Sequence, residues 1–176
     1  MVLWHKNAHV FDNDFGTVSL AFFNRYPNPY AVHVLSIDTL SRETDSEGLL
    51  HTTRLIKKTG KLPRWSKTLL GKITDSWIIE HSIVDPSKMV MKTFTKNLDH
   101  TGIMQVEEYT TYQSTRDTQK TLVTSQVKFS SGFGVGIKNK IEEWSRTKFD
   151  ENVKKSRLGM TFVMQQLQNR SDVCAC

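Results

Sequence analysis

Six segments of the chain, 31–41, 49–59, 76–85, 89–98, 103–113 and 121–130, alternate apolar and polar side chains with a period of two and are rich in Val, Ile, Thr, Phe and Tyr. This is the pattern of strands with one face toward a core. Most of the gaps between them are short and carry turn chemistry: Asp45-Ser46-Glu47-Gly48, Asp85-Pro86-Ser87, Asp99-His100-Thr101-Gly102 and Asp117-Thr118. A parallel connection needs a crossover of about a dozen residues or more, so neighbouring strands joined by such gaps must run antiparallel. The chain is therefore read as a meander and not as a βαβ protein.

The remaining segments frame that meander. Residues 2–11 read as one more strand. Asp12 and Asp14 are helix N-cap types, and Phe15, Val18, Ala21 and Phe22 then recur at helical spacing until Pro27 and Pro29 end the run. Between two strands, residues 60–72 (GKLPRWSKTLLGK) fit a short helix bounded by Gly60 and Gly71, with Trp65, Leu69 and Leu70 on one side. Gly132, Gly134 and Gly136 break the last strand, and a helical segment follows over about 135–168. Such a helix is about 50 Å long, whereas a domain of this size is only about 40 Å across, so it must span the whole molecule. The expected fold is α+β: one domain over 1–168, in which a curved antiparallel sheet of about seven strands grips a long C-terminal helix, followed by a flexible tail over 169–176.

Several classes are excluded. No run of about 18 apolar residues is present to cross a membrane as a helix, and MVLWHKNAHVFDND has neither an apolar core of a signal peptide nor an Arg/Ser-rich amphipathic helix. The cysteines are Cys174 and Cys176, both in the tail, so the body holds neither a disulfide nor a cysteine zinc site. Enzyme signatures are poor: there is no Gly-x-Ser-x-Gly, Walker loop or His-Glu-x-x-His. His5 and His9 are assigned surface roles rather than metal binding, Gly132–Gly136 a flexible joint, and Asp99-His100 a turn-capping role. Glu107 and Glu108 fall on opposite faces of one strand, where they cannot act as an acid–base pair. We expect no cofactor, no metal and no catalysis.

The positive charge is concentrated. Arg54, Lys57, Lys58, Lys61, Arg64, Lys67 and Lys72 follow one another with no acidic residue between, so this segment carries more charge than the chain's net +6. It calls for an anionic partner: phosphate, nucleic acid or an acidic membrane. On the long helix, Ile137, Ile141, Trp144, Lys148, Glu151, Lys155, Leu158 and Phe162 form one stripe, apolar at its ends and cationic in its middle. If that stripe faces the sheet, Lys148 and Lys155 point inward and need an anion, because an unpaired buried charge costs several kcal/mol. A second stripe, Phe149, Val153, Met160, Val163 and Leu167, is offset by about 100° and offers a purely apolar alternative. By strand parity Arg54, Ile56 and Lys58 share a face with Leu50 and Thr52. If that face lines the same interior, Arg54, Lys58, Lys148 and Lys155 converge on an apolar space suited to an amphiphile with a phosphate head.

Phe22-Phe-Asn-Arg-Tyr-Pro-Asn-Pro-Tyr30, His33-Val-Leu-Ser-Ile-Asp-Thr39, Asn97-Leu-Asp-His-Thr-Gly-Ile-Met104, Glu107-Glu-Tyr-Thr-Thr-Tyr112 and Trp144-Ser-Arg-Thr-Lys-Phe-Asp-Glu-Asn-Val-Lys-Lys-Ser-Arg157 resemble the PRELI domain family, closest to its fungal Ups branch. The resemblance runs from the first residue to about 168. It implies a seven-stranded sheet around a long helix, enclosing a lipid cavity with the 60–72 segment as lid. It also implies a carrier of phosphatidic acid from the outer to the inner mitochondrial membrane in support of cardiolipin synthesis. Such a carrier resides in the intermembrane space, associates peripherally with the inner membrane and forms a heterodimer with a small twin Cys-x9-Cys protein. By the same resemblance Arg25, His33, Arg54, Lys58, Lys61, Lys148, Asn152 and Lys155 would line or guard the headgroup site, and Leu62, Trp65, Leu69 and Leu70 would serve the lid and membrane contact. The alternative is a soluble anion- or nucleic-acid-binding module using the 54–72 basic patch, which filter binding to tRNA under salt titration would reveal; against it, no recognition helix or RNA-binding aromatic signature is present. A lipid hydrolase or cyclase on a similar cavity lacks a nucleophile–base pair.

Overall fold

The computed structural model describes residues 1–60, 75–102, 104–116, 119–132 and 138–174, without the side chains of Lys138 and of 171–174. Seven strands form one sheet: β1 (Val2–Phe11), β2 (Val34–Thr44), β3 (Leu50–Thr59), β4 (Asp75–Asp85), β5 (Val90–Asn97), β6 (Gln105–Ser114) and β7 (Thr121–Ser130). Their order is β1-β7-β6-β5-β4-β3-β2, and every pair is antiparallel. The meander from β2 to β7 follows the short turns at every connection but that between β3 and β4, while β1 closes onto β7 and forms one edge. The chain passes from β1 to the far edge through helix α1 (Phe15–Phe23).

Local chemistry sets the ends of α1. Asp14 caps it, accepting from the Thr17 backbone N–H at 2.9 Å and the Thr17 hydroxyl at 2.6 Å, and the Asn24 amide closes it on the Leu20 carbonyl at 2.8 Å. Phe15, Val18, Ala21 and Phe22 are its buried face, as their spacing requires. Asp99 caps a turn as expected, but at long range: it accepts from the Ser76 hydroxyl at 2.7 Å and the Trp77 N–H at 2.8 Å, tying the start of β4 to the β5–β6 connection.

The other described helix, α2, runs from Lys138 to Cys174. It passes the residue at which the sequence reading placed the start of a flexible tail, because Gln165, Gln166, Gln168, Asn169 and Arg170 contain no Pro or Gly to stop it. Its buried stripe is Ile141, Ser145, Phe149, Met160, Val163 and Met164, with Val153 and Leu167 half-buried. This corrects the first of the two stripes weighed above: its ends, Ile141, Trp144 and Phe162, are covered, but its middle is not. Lys155 is exposed, and Lys148 retains 37% of its side-chain surface and pairs with Glu151 at 2.7 Å. Burying two ammonium groups costs several kcal/mol, whereas the rotation adopted stacks Phe149 on His5, ring centroids 5.4 Å apart.

Among the described residues, buried apolar side chains form two clusters. Phe11, α1, Met91, Tyr112, Met160, Val163 and Met164 make one. Val127, Phe129 and Phe149, with Leu3, Met104, Val106, Trp144 and Val153 against them, make the other. Gly159 marks a close approach between α2 and the loop after α1: a Cβ there would lie 2.9 Å from the Asn28 side-chain nitrogen. The Asn28 side chain is held in place by the Arg25 carbonyl and by the Tyr30 N–H at 2.8 Å. Gly159→Ala gains about 1 kcal/mol of helix propensity but forces an overpacked contact costing about 1–3 kcal/mol. The variant is expected to melt below the parent in a thermal unfolding scan; a higher melting temperature would show that Asn28 yields freely.

Candidate functional site

The register determines which side chains line the inner face. Arg54 pairs with Glu80, Glu80 with Thr95, Thr95 with Glu108 and Glu108 with Val127, so one row across β3, β4, β5, β6 and β7 carries a cation and two carboxylates inward. Arg25 joins it from the segment after α1. Glu80 is 1% exposed and bridges Arg25 and Arg54, with one oxygen to each; the Arg54 Nε–H donates to it at 2.7 Å. The arginines also donate to carbonyls at the end of α1, Arg25 to Phe22 at 2.9 Å and Arg54 to Phe23 at 3.1 Å. Both guanidinium groups sit over the Phe22 ring, at 4.1 Å and 4.9 Å. Burial alone pushes the Glu80 carboxyl up, but the Arg25 and Arg54 charges outweigh it and hold the group ionised, below the usual carboxylate range. Burial and the Arg25 charge lower the Arg54 pKa. Two like charges are thus held together by one carboxylate.

Lys58 lies on the same face two steps further along β3, past Ile56, half-buried, and has no carboxylate partner among the described residues. Its neighbour Lys57 points to the opposite face, where it pairs with Asp75 at 3.1 Å and covers Trp77. The two adjacent lysines therefore divide between solvent and interior by strand parity alone. Lys58 makes itself felt at three interior groups. It helps, after burial, to lower His33; with Arg25 it depresses the Tyr26 phenol against the upward push of burial; and it opposes the burial that raises Glu108. Burial dominates at Glu108 and holds its carboxyl above the ordinary value. The inner face thus carries two arginines locked by Glu80 and one lysine with no counter-charge among the described residues, on the side of the sheet that also carries the two apolar clusters.

The structure brings together four of the residues singled out from sequence: Arg25, Arg54 and Lys58 as described, and His33, half-buried before β2. Lys155 lies at the border of this group, since its charge reaches His33 and lowers the imidazole pKa after burial and Lys58 have done so. Lys148 stands about two helical turns from it, paired to Glu151, and Asn152 is exposed on α2. Neither lysine is interior, contrary to the first stripe. Lys61, Leu62, Trp65, Leu69 and Leu70, and with them the expected 60–72 helix and lid, lie outside the described residues, as does most of the 132–136 glycine joint. The assignment of His5 to the surface is also corrected. Odd-numbered residues of β1 face inward, and His5 is packed between Phe129 and Phe149, 3.2 Å from the buried Ser145 hydroxyl. Sequence reasoning missed Glu80 and Glu108. Glu107 and Glu108 do take opposite faces, Glu107 pairing with Lys128 at 3.1 Å, but only parity applied to β4 and β6 together would have marked two carboxylates as inward. Among the described residues no cluster of His, Cys, Asp and Glu could hold a metal, and no helix is long and apolar enough to cross a membrane.

The PRELI-like family model matches residues 16–170. The chain belongs to the PRELI-like family. It is 66% identical over 168 residues to "Protein UPS1, mitochondrial" of Saccharomyces cerevisiae, covering 96% of each chain. It is 44% identical to the ups1 homolog of Schizosaccharomyces pombe, covering 85% of this chain and 88% of that one. It is 32% identical to the human PRELI domain-containing protein 1, mitochondrial, covering 97% and 79%. Among solved structures, TTHA0849 from Thermus thermophilus superposes with a TM-score of 0.62 at 12% identity, covering 94% of this chain and 99% of that one. The Zhui aromatase/cyclase of Streptomyces superposes at 0.56 and 9% identity, covering 97% and 96%. These two share the fold: an antiparallel sheet around a long C-terminal helix. The PRELI-like chain described here lines that fold's inner face with the Arg25–Glu80–Arg54 bridge and with Lys58, which has no carboxylate partner among the described residues.

Proposed function

We propose that this protein is a lipid carrier, not an enzyme, and that its cargo is phosphatidic acid moved from the outer to the inner mitochondrial membrane, where it feeds cardiolipin synthesis. The observation that carries this reading is Lys58: a half-buried ammonium, without a carboxylate partner among the described residues, beside two arginines in an interior that also presents apolar clusters. An unpaired interior cation is costly and is explained by an anion that comes and goes. A phosphate monoester on two acyl chains supplies both the anion and the apolar remainder. Arg25 and Arg54, already neutralised in part by Glu80, set the field around the phosphate; Lys58 supplies the direct contact. The border residues His33 and Lys155, with Lys148 and Asn152 beyond, face an arriving headgroup.

Family membership and the mitochondrial relatives support residence in that organelle. The intermembrane space, peripheral attachment to the inner membrane and a twin Cys-x9-Cys partner complete the proposal. Mixing the protein with donor vesicles of phosphatidylcholine containing phosphatidic acid, and acceptors lacking it, should move phosphatidic acid and leave it chemically unchanged. Native mass spectrometry should show one phospholipid per chain. Absence of any bound lipid, or retention on tRNA filters instead, would overturn the reading. Near an anionic surface each cation contributes about 1 kcal/mol, so Lys155→Gln is expected to slow transfer about fivefold, with the deficit shrinking as salt is raised.

A further inference from the structure

The inner face carries a second carboxylate for which neither the fold nor the carrier role accounts. Glu80 is saturated by two arginines. Glu108, two strands away in the same cross-strand row, has no ion pair among the described residues, and its single hydrogen bond there is a long one, 3.5 Å from the Thr110 hydroxyl. That hydroxyl is shared with Ser125 at 2.9 Å. A carboxyl group left this poorly satisfied in an interior is expensive, and one facing Arg25 and Lys58 without pairing to either is held at a distance from them.

We propose that Glu108 is a headgroup-specificity residue of the carrier: its carboxylic O–H donates a hydrogen bond to a phosphate oxygen, and its proton determines how much negative charge the interior accepts. This rests on the reading of the protein as a phosphatidic acid carrier. Arg25, Arg54 and Lys58 against Glu80 leave two positive charges when Glu108 is neutral, which matches a phosphate monoester dianion. Ionised, Glu108 leaves one and places a second anion beside the phosphate. Among the described residues, the groups around it come from several elements. Arg25 and Tyr26 come from the loop after α1, Arg54 and Lys58 from β3, Glu80 from β4 and Tyr112 from its own strand, while β5 offers only Thr95 in register. On the other side β7 contributes the neutral Val127 and Ser125, β1 the His5 imidazole one strand further out, and α2 the apolar Phe149 and Val153. Burial, opposed by Lys58 and Arg25 and aided by Glu80, keeps the acid form above the ordinary carboxyl range. The group's charge is thus set by the interior and not by bulk water. As the pH rises Glu108 releases its proton to solvent and uptake weakens; as it falls, uptake strengthens.

The test uses the full chain, the Glu108→Gln variant, which keeps a donor without a titrating proton, and Glu108→Leu, which keeps neither. Extraction from phosphatidylcholine vesicles containing phosphatidic acid is measured between pH 5.5 and 8, with phosphatidylglycerol, whose charge is fixed in that range, as reference cargo. The wild type should lose phosphatidic acid uptake with rising pH relative to Glu108→Gln, by about tenfold across the window, and Glu108→Leu should bind about tenfold more weakly than Glu108→Gln throughout. Superimposable profiles for wild type and Glu108→Gln, with both extracting lipid, would overturn the role of Glu108 and leave the carrier reading intact. If no variant extracts lipid at any pH, the carrier reading itself fails and this proposal with it. Thermal melts of lipid-free protein serve as a readout that needs no cargo: the Glu108→Gln minus wild-type difference should grow with pH, and a flat difference would also overturn the proposal.

Discussion

Replacing Glu80 with Ala is expected to lower stability by about 3–5 kcal/mol, the range for breaking a buried ion pair on one side only, and the melting temperature by roughly 10 °C for a chain of this size. The reason is the asymmetry of the Arg25–Glu80–Arg54 bridge. With the carboxylate present, both oxygens are engaged and each guanidinium keeps its carbonyl at the end of α1. With it absent, two cations face each other with little water. Glu80→Gln should fall between the two, because the amide keeps one acceptor but not the charge. The pH dependence has a definite sign. Glu80's carboxyl is held below its ordinary value when folded, so its stabilisation is complete above about pH 4.5 and is lost as the pH falls through the lower folded value. The wild-type minus Glu80→Gln difference in unfolding free energy should therefore shrink on acidification. A difference independent of pH would mean that the bridge is not charged.

Lys58→Met is expected to cut phosphatidic acid uptake by about 10- to 100-fold, the loss of one charge-assisted hydrogen bond in a poorly hydrated site. It should leave the lipid-free protein as stable as the parent or more so. The two effects have opposite signs because Lys58 has no carboxylate to satisfy it among the described residues: removing it relieves a desolvated charge from the empty protein and takes the partner from the full one. Lys57→Met, one residue earlier and on the opposite face, should leave uptake unchanged. Vesicle extraction and chemical denaturation on the same samples decide the matter. Parallel loss of uptake and stability in Lys58→Met would assign Lys58 to the scaffold instead.

Much of this architecture is legible before any coordinates. The period-two segments and their Asp- and Gly-bearing turns force an antiparallel meander, because pleat and turn geometry are set by neighbours a few residues away. For the same reason strand parity puts Lys57 on the face opposite Arg54 and Lys58 and splits Glu107 from Glu108, and local capping chemistry lets Asp14 start α1. What sequence spacing does not settle is the rotation of α2. Two stripes about 100° apart are both plausible faces, and the choice belongs to partners far along the chain: His5 and Phe129 receive Phe149, and Asn28 meets Gly159. The Arg25–Glu80–Arg54 bridge is likewise a tertiary decision, since its members come from a loop and two strands, with Arg25 and Glu80 separated by 55 positions. A residue's face is a local property of the backbone. The residues it meets there depend on how distant segments pack to bury apolar area without stranding a charge.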